Sequence, residues 1–182
     1  MTFDFKKEYR EFYLPKNRPE LVRVPPMRFV AVRGEGDPNE PGGAYQAALG
    51  ALYAVAYAVK MSKLGDRRMD GYFDFVVPPL EGFWQADGLF DPARKKKADA
   101  SKAELLTIDE GLCVQMLHLG PFDDEPASVA RMDAFIEENG YVGDLTETRL
   151  HHEIYLSDAR RAAPEKWKTV LRHPIRKKEE KP

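Results

Sequence analysis

The feature that most limits the fold is an arrangement that occurs twice. "RFVAVRGEGDPNEP" (28–41), a helical stretch and "YFDFVVPPLEGFW" (72–84) echo "LCVQMLHLGPFDDEP" (112–126), a helical stretch and "HHEIYLSD" (151–158). A strand, a turn built from Gly, acidic residues and Pro, a helix and an extended segment follow in the same order each time. Two such units about a pseudo-two-fold axis make a sheet with helices on one side and a groove between the halves. Clefts between modules are favoured ligand sites. Spacing alone does not separate this duplication from a chance pair of strand-helix-strand units in an α+β chain.

Residue patterning supplies the elements. The first fifteen residues, rich in Phe, Tyr and Lys, read as a short helix or irregular arm that packs its aromatics on the body. Residues 21–34 read as extended and broken at Pro25-Pro26, with Phe29 to Arg33 the firmest strand. A helix from about Gly43 to Lys63 carries the stripe Tyr45, Leu49, Leu52, Ala56 and Val59, with Tyr53 and Tyr57 beside it; so apolar a helix is expected to be covered on more than one side. Residues 71–84 read as extended, and the stretch from Gln85 to Ala103 as a loop and a frayed helical turn. "GLCVQMLHLG" reads as a strand. A helix from Ala127 to Asn139 presents Val129, Met132, Phe135 and Ile136 on one stripe, with acidic residues at its start and Gly140 as its stop signal. "HHEIYLSD" and "KTVLRHPI" are the last two strands.

Composition narrows the function classes. With 182 residues and 43% apolar content, the chain builds one substantial core or two small modules sharing one. A net charge of -2 gives no general attraction to nucleic acid or anionic membrane. The locally basic run from Arg172 to Lys178 reads as a solvated end. A single cysteine, Cys113, excludes an internal disulfide and reads as a small buried apolar residue, and the start "MTFDFKKEYR" carries no apolar leader, so a cytoplasmic location is expected. No HExxH or CxxC spacing supports a metal, and no GxGxxG, P-loop or GxSxG supports a nucleotide cofactor or a serine nucleophile. The expectation is therefore no cofactor, no metal, no membrane span and no direct nucleic-acid contact.

One strand carries an unusual set of side chains. With a period of two, His151, Glu153, Tyr155 and Ser157 share one face of "HHEIYLSD", while His152, Ile154 and Leu156 share the other. The second face reads as core. The first is either a solvated surface or the floor of a binding cleft.

The blocks "PPLEGFW" (78–84), "EGLCVQMLHLGPFDDEP" (110–126), "ENGY" (138–141) and "HHEIYLSDARRAAPEKWKTVLRHPI" (151–175) resemble the GyrI-like small-molecule-binding family, and in particular its stand-alone branch of cyclopropanoid hydrolases. The resemblance implies an α+β fold of duplicated β-α-β-β modules forming an antiparallel sheet, with helices on one side and a central groove. It implies an N-terminal arm (1–18), a single domain (19–176, pseudo-repeats about 19–90 and 104–176) and a charged tail (177–182). The first module departs from the family pattern after Trp84: much of its last strand and the following helix are missing. One wall of the groove is then open, or filled by a partner subunit in a homodimer.

The same resemblance implies a groove that accepts flat aromatic, often cationic compounds, with a strand glutamate at the position of Glu153 pairing with the cation. For the stand-alone branch it implies hydrolytic opening of the cyclopropane in DNA-alkylating natural products. Glu153 is then the catalytic base, and Tyr155 the donor to a developing oxyanion. Trp84 suits a stacking wall, Glu81 a second acid, Tyr53 and Tyr57 a hydroxyl-bearing lining, and His151 a partner of Glu153. Each has a plainer alternative: a surface glutamate at 153, cross-strand packing for Tyr155, a surface histidine at 151, core packing for Trp84, Tyr53 and Tyr57, and a turn cap at Glu81. Asp158, in "SDARR", is assigned to a turn, pairing with a backbone amide or an arginine. The family name also raises a third role, as a protein-interaction module that modulates a DNA enzyme such as gyrase.

Overall fold

In the computed structural model, residues 2–35, 38, 40–65, 69–85 and 102–178 are described. They form an α+β protein with antiparallel strand ladders, divided into two units: Met1–Asp4, Met27–Val77 and Asp91–Ile108 in the first, and Phe5–Pro26, Pro78–Phe90 and Asp109–Pro182 in the second. The elements in chain order are α1 (Phe5–Glu8), α2 (Arg10–Tyr13), β1 (Glu20–Val24), β2 (Met27–Ala31), α3 (Ala44–Met61), β3 (Leu80–Trp84), β4 (Glu104–Ile108), β5 (Gly111–Leu119), α4 (Glu125–Glu138), β6 (Tyr141–Gly143), β7 (His151–Tyr155) and β8 (Lys168–Lys177).

The second unit holds the larger sheet, in the order β1-β5-β8-β7-β3, with β6 also paired to β8. β8 is buried along most of its length because β5 covers one edge while β7 and β6 share the other. The run expected to be a solvated basic end is thus mostly the central strand: Arg172 and Ile175 are each 1% exposed. Three ladders on one strand outweigh its local charge, because the guanidinium finds buried partners. Val114, Met116, Leu171 and Ile175 meet Met132 and Ile136 of α4 to form the core, with Val129 and Phe135 packed at its margin. This is the predicted α4 stripe, on a helix that begins two residues earlier than expected. Gly140, at φ 77°, takes the left-handed backbone that ends it.

The first unit pairs β2 with β4, whose register runs from Met27 opposite Ile108 to Ala31 opposite Glu104. The stretch after Trp84 therefore does contain a strand, at 104–108, that periodicity missed. The pairing also corrects the expectation of a single sheet: β2 joins β4, while β3 joins β7. Only the last part of the expected extended run 71–84 is a strand, with Phe75 in an isolated bridge to Phe3. The loop and frayed helical turn expected from Gln85 to Ala103 fall mostly on 86–101, outside the described residues.

α3 carries the predicted stripe half-buried, but Tyr53 and Tyr57 are 42% and 50% exposed, so among the described residues the helix is not covered on more than one side. Its outer face is largely Ala47, Gly50, Ala54 and Ala58, which raise hydropathy yet expose little apolar area. No described helix is long and apolar enough to cross a membrane.

Candidate functional site

β7 alternates as its sequence requires: His152 and Ile154 are fully buried, and His151, Glu153 and Tyr155 are half-buried. Register extends both faces sideways. Gly82 lies opposite Glu153 and Trp84 opposite His151, while Glu81 lies opposite Ile154 and Phe83 opposite His152. Directly paired residues project to the same side of a sheet. Trp84 therefore joins Glu153, and Glu81 faces the other way.

On the Glu153 face, both carboxylate oxygens are engaged. His151 Nε2 lies 2.8 Å from Oε1, and the Tyr155 hydroxyl donates to Oε2 at 2.6 Å. The indole N–H of Trp84 in turn donates to the Tyr155 oxygen at 3.0 Å. Burial favours the neutral acid, but the bonds from His151 and Tyr155, the charge of His151 and the bond from Trp84 together hold Glu153 below the usual carboxylate range. Behind His151, its Nδ1 lies 2.5 Å from His173 Nε2. Burial, then the charge of His151, lowers the pKa of His173 to about 4, so His173 is neutral at pH 7. A continuous polar chain runs His173–His151–Glu153–Tyr155–Trp84.

Gly82 makes room for the Trp84 end of this chain. A Cβ there would lie 2.6 Å from Trp84 Nε1 and 3.1 Å from the Tyr155 hydroxyl. The absent side chain lets the indole fold back across its own strand. Aromatic rings close the surroundings: Phe122 meets Tyr155 edge-on at 5.8 Å between centroids and Trp167 at 4.7 Å.

Between α4 and the His151 end of β7 opens a cavity of about 470 Å³, lined by Phe122, Glu125, Pro126, Val129, Ala130, Asp133 and His151. Glu125 stands at the first position of α4. Burial, then the negative charge of Glu153, pushes its pKa up to about 8 against a hydrogen bond from Thr169. It is thus a neutral acid at pH 7. Its Oε1 is buried with no hydrogen-bond partner among the described residues. Two carboxyl groups are held in opposite protonation states around one site, a pattern that separates a proton donor from a proton acceptor.

The opposite face holds a second, sealed set. His152 places Nδ1 2.9 Å from Glu110 Oε1 and Nε2 3.0 Å from Glu81 Oε2. Arg172 Nη1 donates to Glu110 Oε2 at 2.9 Å, and Nη2 to the carbonyl of Phe12 at 2.6 Å. The Tyr13 hydroxyl donates to Glu81 Oε1 at 2.8 Å. Burial disfavours the imidazolium of His152, but the charge and hydrogen bonds of Glu110 and Glu81 outweigh it and raise its pKa. Two glutamates thus face a guanidinium and a histidine drawn toward its protonated form.

The expected site residues therefore separate into three places. Glu153, Tyr155, Trp84 and His151 form one cluster, and Glu81 belongs to the sealed network behind it. Tyr53 and Tyr57 stand on α3 in the first unit, their rings 6.4 Å apart. Sequence reasoning missed His173, Glu125, Phe122 and Trp167 as members of the site. Glu125 was legible only as negative charge at a helix start, and His173 only as part of a strand, since their partners lie 28 and 22 residues away along the chain. Cys113 is buried, and Asp158 accepts from the backbone and guanidinium of Arg160, both as expected.

Residues 17–176 match the profile of a family described as the GyrI-like small molecule binding domain. Among solved structures, an uncharacterized conserved protein from Listeria innocua is 45% identical, with a TM-score of 0.85 over 96% of this chain and 100% of its own. A structure described as a hydrolase from Listeria innocua is 44% identical, with a TM-score of 0.84 and the same coverage. Another hydrolase from that organism is 45% identical, with a TM-score of 0.83 over 97% of this chain and 100% of its own. No curated protein matches.

Proposed function

The chain belongs to the GyrI-like family, and from that premise we propose that its second unit binds flat aromatic cations beside β7, with Glu153 as the counter-charge. The observation that carries this reading is a half-buried carboxylate held ionised by His151 and Tyr155, set among Trp84, Tyr155 and Phe122, next to an open cavity. Aromatic faces and a partly dehydrated anion both favour an organic cation, and each gains strength where water is excluded. Trp84 and Trp167 are the chain's only tryptophans, so indole emission reports on this site. A planar cation should quench it. Glu153→Gln should weaken the cation by roughly tenfold and leave a neutral analogue nearly unchanged. An unaltered preference for the cation would sink the reading.

Hydrolysis is the second reading, supported by the two relatives described as hydrolases and by the polar chain through Glu153. Water displaces the Tyr155 hydroxyl from Glu153 Oε2 and gives up a proton there while its oxygen bonds to a cyclopropane carbon. The ring C–C bond breaks, and its electron pair passes into a conjugated carbonyl, whose oxygen accepts a hydrogen bond from the freed Tyr155. A DNA-alkylating cyclopropane compound should gain the mass of one water with the wild type. Full turnover retained by both Glu153→Gln and Tyr155→Phe would remove this mechanism.

A further inference from the structure

Binding at Glu153 leaves Glu125 without a task. It lines the cavity that His151 also lines, and one of its oxygens is buried with no partner among the described residues. A buried polar atom left unpaired costs about 1–3 kcal/mol, so it calls for a reason. A cation supplies one. Its positive charge offsets the repulsion from Glu153 that, with burial, keeps Glu125 neutral. The start of α4 also favours a carboxylate once the cation has compensated the Glu153 charge.

We propose that Glu125 is a second cation-binding group of this cavity, neutral when the cavity is empty and a carboxylate when an aromatic cation occupies it, so that the site takes up the cation in exchange for a proton. The proton leaves the Glu125 carboxyl for solvent as the cation arrives, which balances the charge in the cavity. This deepens the binding role proposed for Glu153 and rests on the cavity being the ligand site. Several other groups surround it. β7 supplies His151, Glu153 and Tyr155, β8 supplies His173 behind His151, and β5 supplies His118, bonded to Ser128 of α4. α4 itself supplies Asp133, and the turn before it Asp123 and Asp124. Of these, Glu153 is the one whose charge acts on Glu125.

The test is a titration of the full chain with ethidium, a planar permanent cation, and phenanthridine, its uncharged counterpart, followed by tryptophan emission. Proton release is measured by calorimetry in buffers of different ionisation enthalpy. Ethidium should bind about tenfold more tightly for each pH unit from about pH 6 to about pH 8, releasing about one proton, whereas phenanthridine binding stays flat. Glu125→Gln should abolish both the slope and the proton release, and Asp158→Asn, in the turn after β7 and not in the cavity lining, should keep both. Gln is isosteric with the neutral acid, and an unchanged melting curve near pH 6 verifies its fold. A slope that persists in Glu125→Gln overturns the exchange alone, as does ethidium binding that depends on Glu153 but is flat with pH. Failure of ethidium and phenanthridine to bind at any pH overturns the exchange and the site together.

Discussion

The two faces of β7 use nearly the same chemistry to opposite ends. Each pairs a histidine with glutamate: His151 with Glu153 on one side, His152 with Glu110 and Glu81 on the other. Behind the strand, Phe12 and Tyr13 of α2 are buried and bonded to Arg172 and Glu81, so the polar groups there neutralise one another away from water. In front, α4 packs on β5 and leaves the His151 end of β7 beside a cavity. An ionic cluster that is closed and balanced holds a fold together. One that is open, with an anion not fully offset, remains available to a ligand.

Removing a charge should therefore cost very different amounts on the two sides. Arg172→Met leaves Glu110 in the interior without its guanidinium partner. A loss of about 3–5 kcal/mol in urea unfolding is expected. Glu153→Gln keeps one acceptor oxygen beside an open cavity where water can serve the displaced donor, and a change of about 1 kcal/mol or less is expected. Equal costs would erase the distinction between the faces.

Acid should separate them next, by sign. His173 has its folded pKa depressed to about 4 from 6.5, so its stabilisation is complete above pH 6.5 and is lost as the pH falls toward 4, by roughly 3 kcal/mol in all. His152 has its folded pKa raised, so its contribution is complete below 6.5 and is lost as the pH rises through the folded value. His173→Asn should flatten the acid limb of the stability profile and leave the alkaline limb in place. Loss of the alkaline limb instead would show that the assignment is reversed.

Smaller substitutions sharpen the geometry. Gly82→Ala puts a methyl against the Trp84 indole, and its expected cost of about 1–3 kcal/mol should come with altered tryptophan emission and weaker ligand binding. Tyr13→Phe leaves one oxygen of Glu81 without its donor, and about 1 kcal/mol is expected with ligand binding untouched. Weakened binding in Tyr13→Phe would mean that the two faces are coupled.

Much of the second unit was legible because its signals are local. The period of two in β7, the i, i+4 stripe of α4 and Gly140 at its end each depend on neighbours within a few residues, and backbone geometry alone places them. β4 was not legible, since "ELLTI" lacks a strict alternation and becomes a strand through its ladder with β2. Glu81 and Trp84 show the limit within a single strand. Alternation puts the two on opposite faces, as an odd spacing of three requires, but not which face meets Glu153.

By itself, then, the sequence determined the α+β order of elements, the polar face of β7 and the residues that carry the family resemblance, because short-range sterics and hydrophobic period act through adjacent positions. Only the tertiary structure decided that His152 is sealed with Glu110, Glu81 and Arg172, that His151 is backed by His173, and that Glu125 stands as a neutral acid beside an ionised Glu153. Those outcomes depend on the dehydration and charge that distant segments bring to one another, and no spacing along the chain encodes the dielectric in which a carboxyl group will sit.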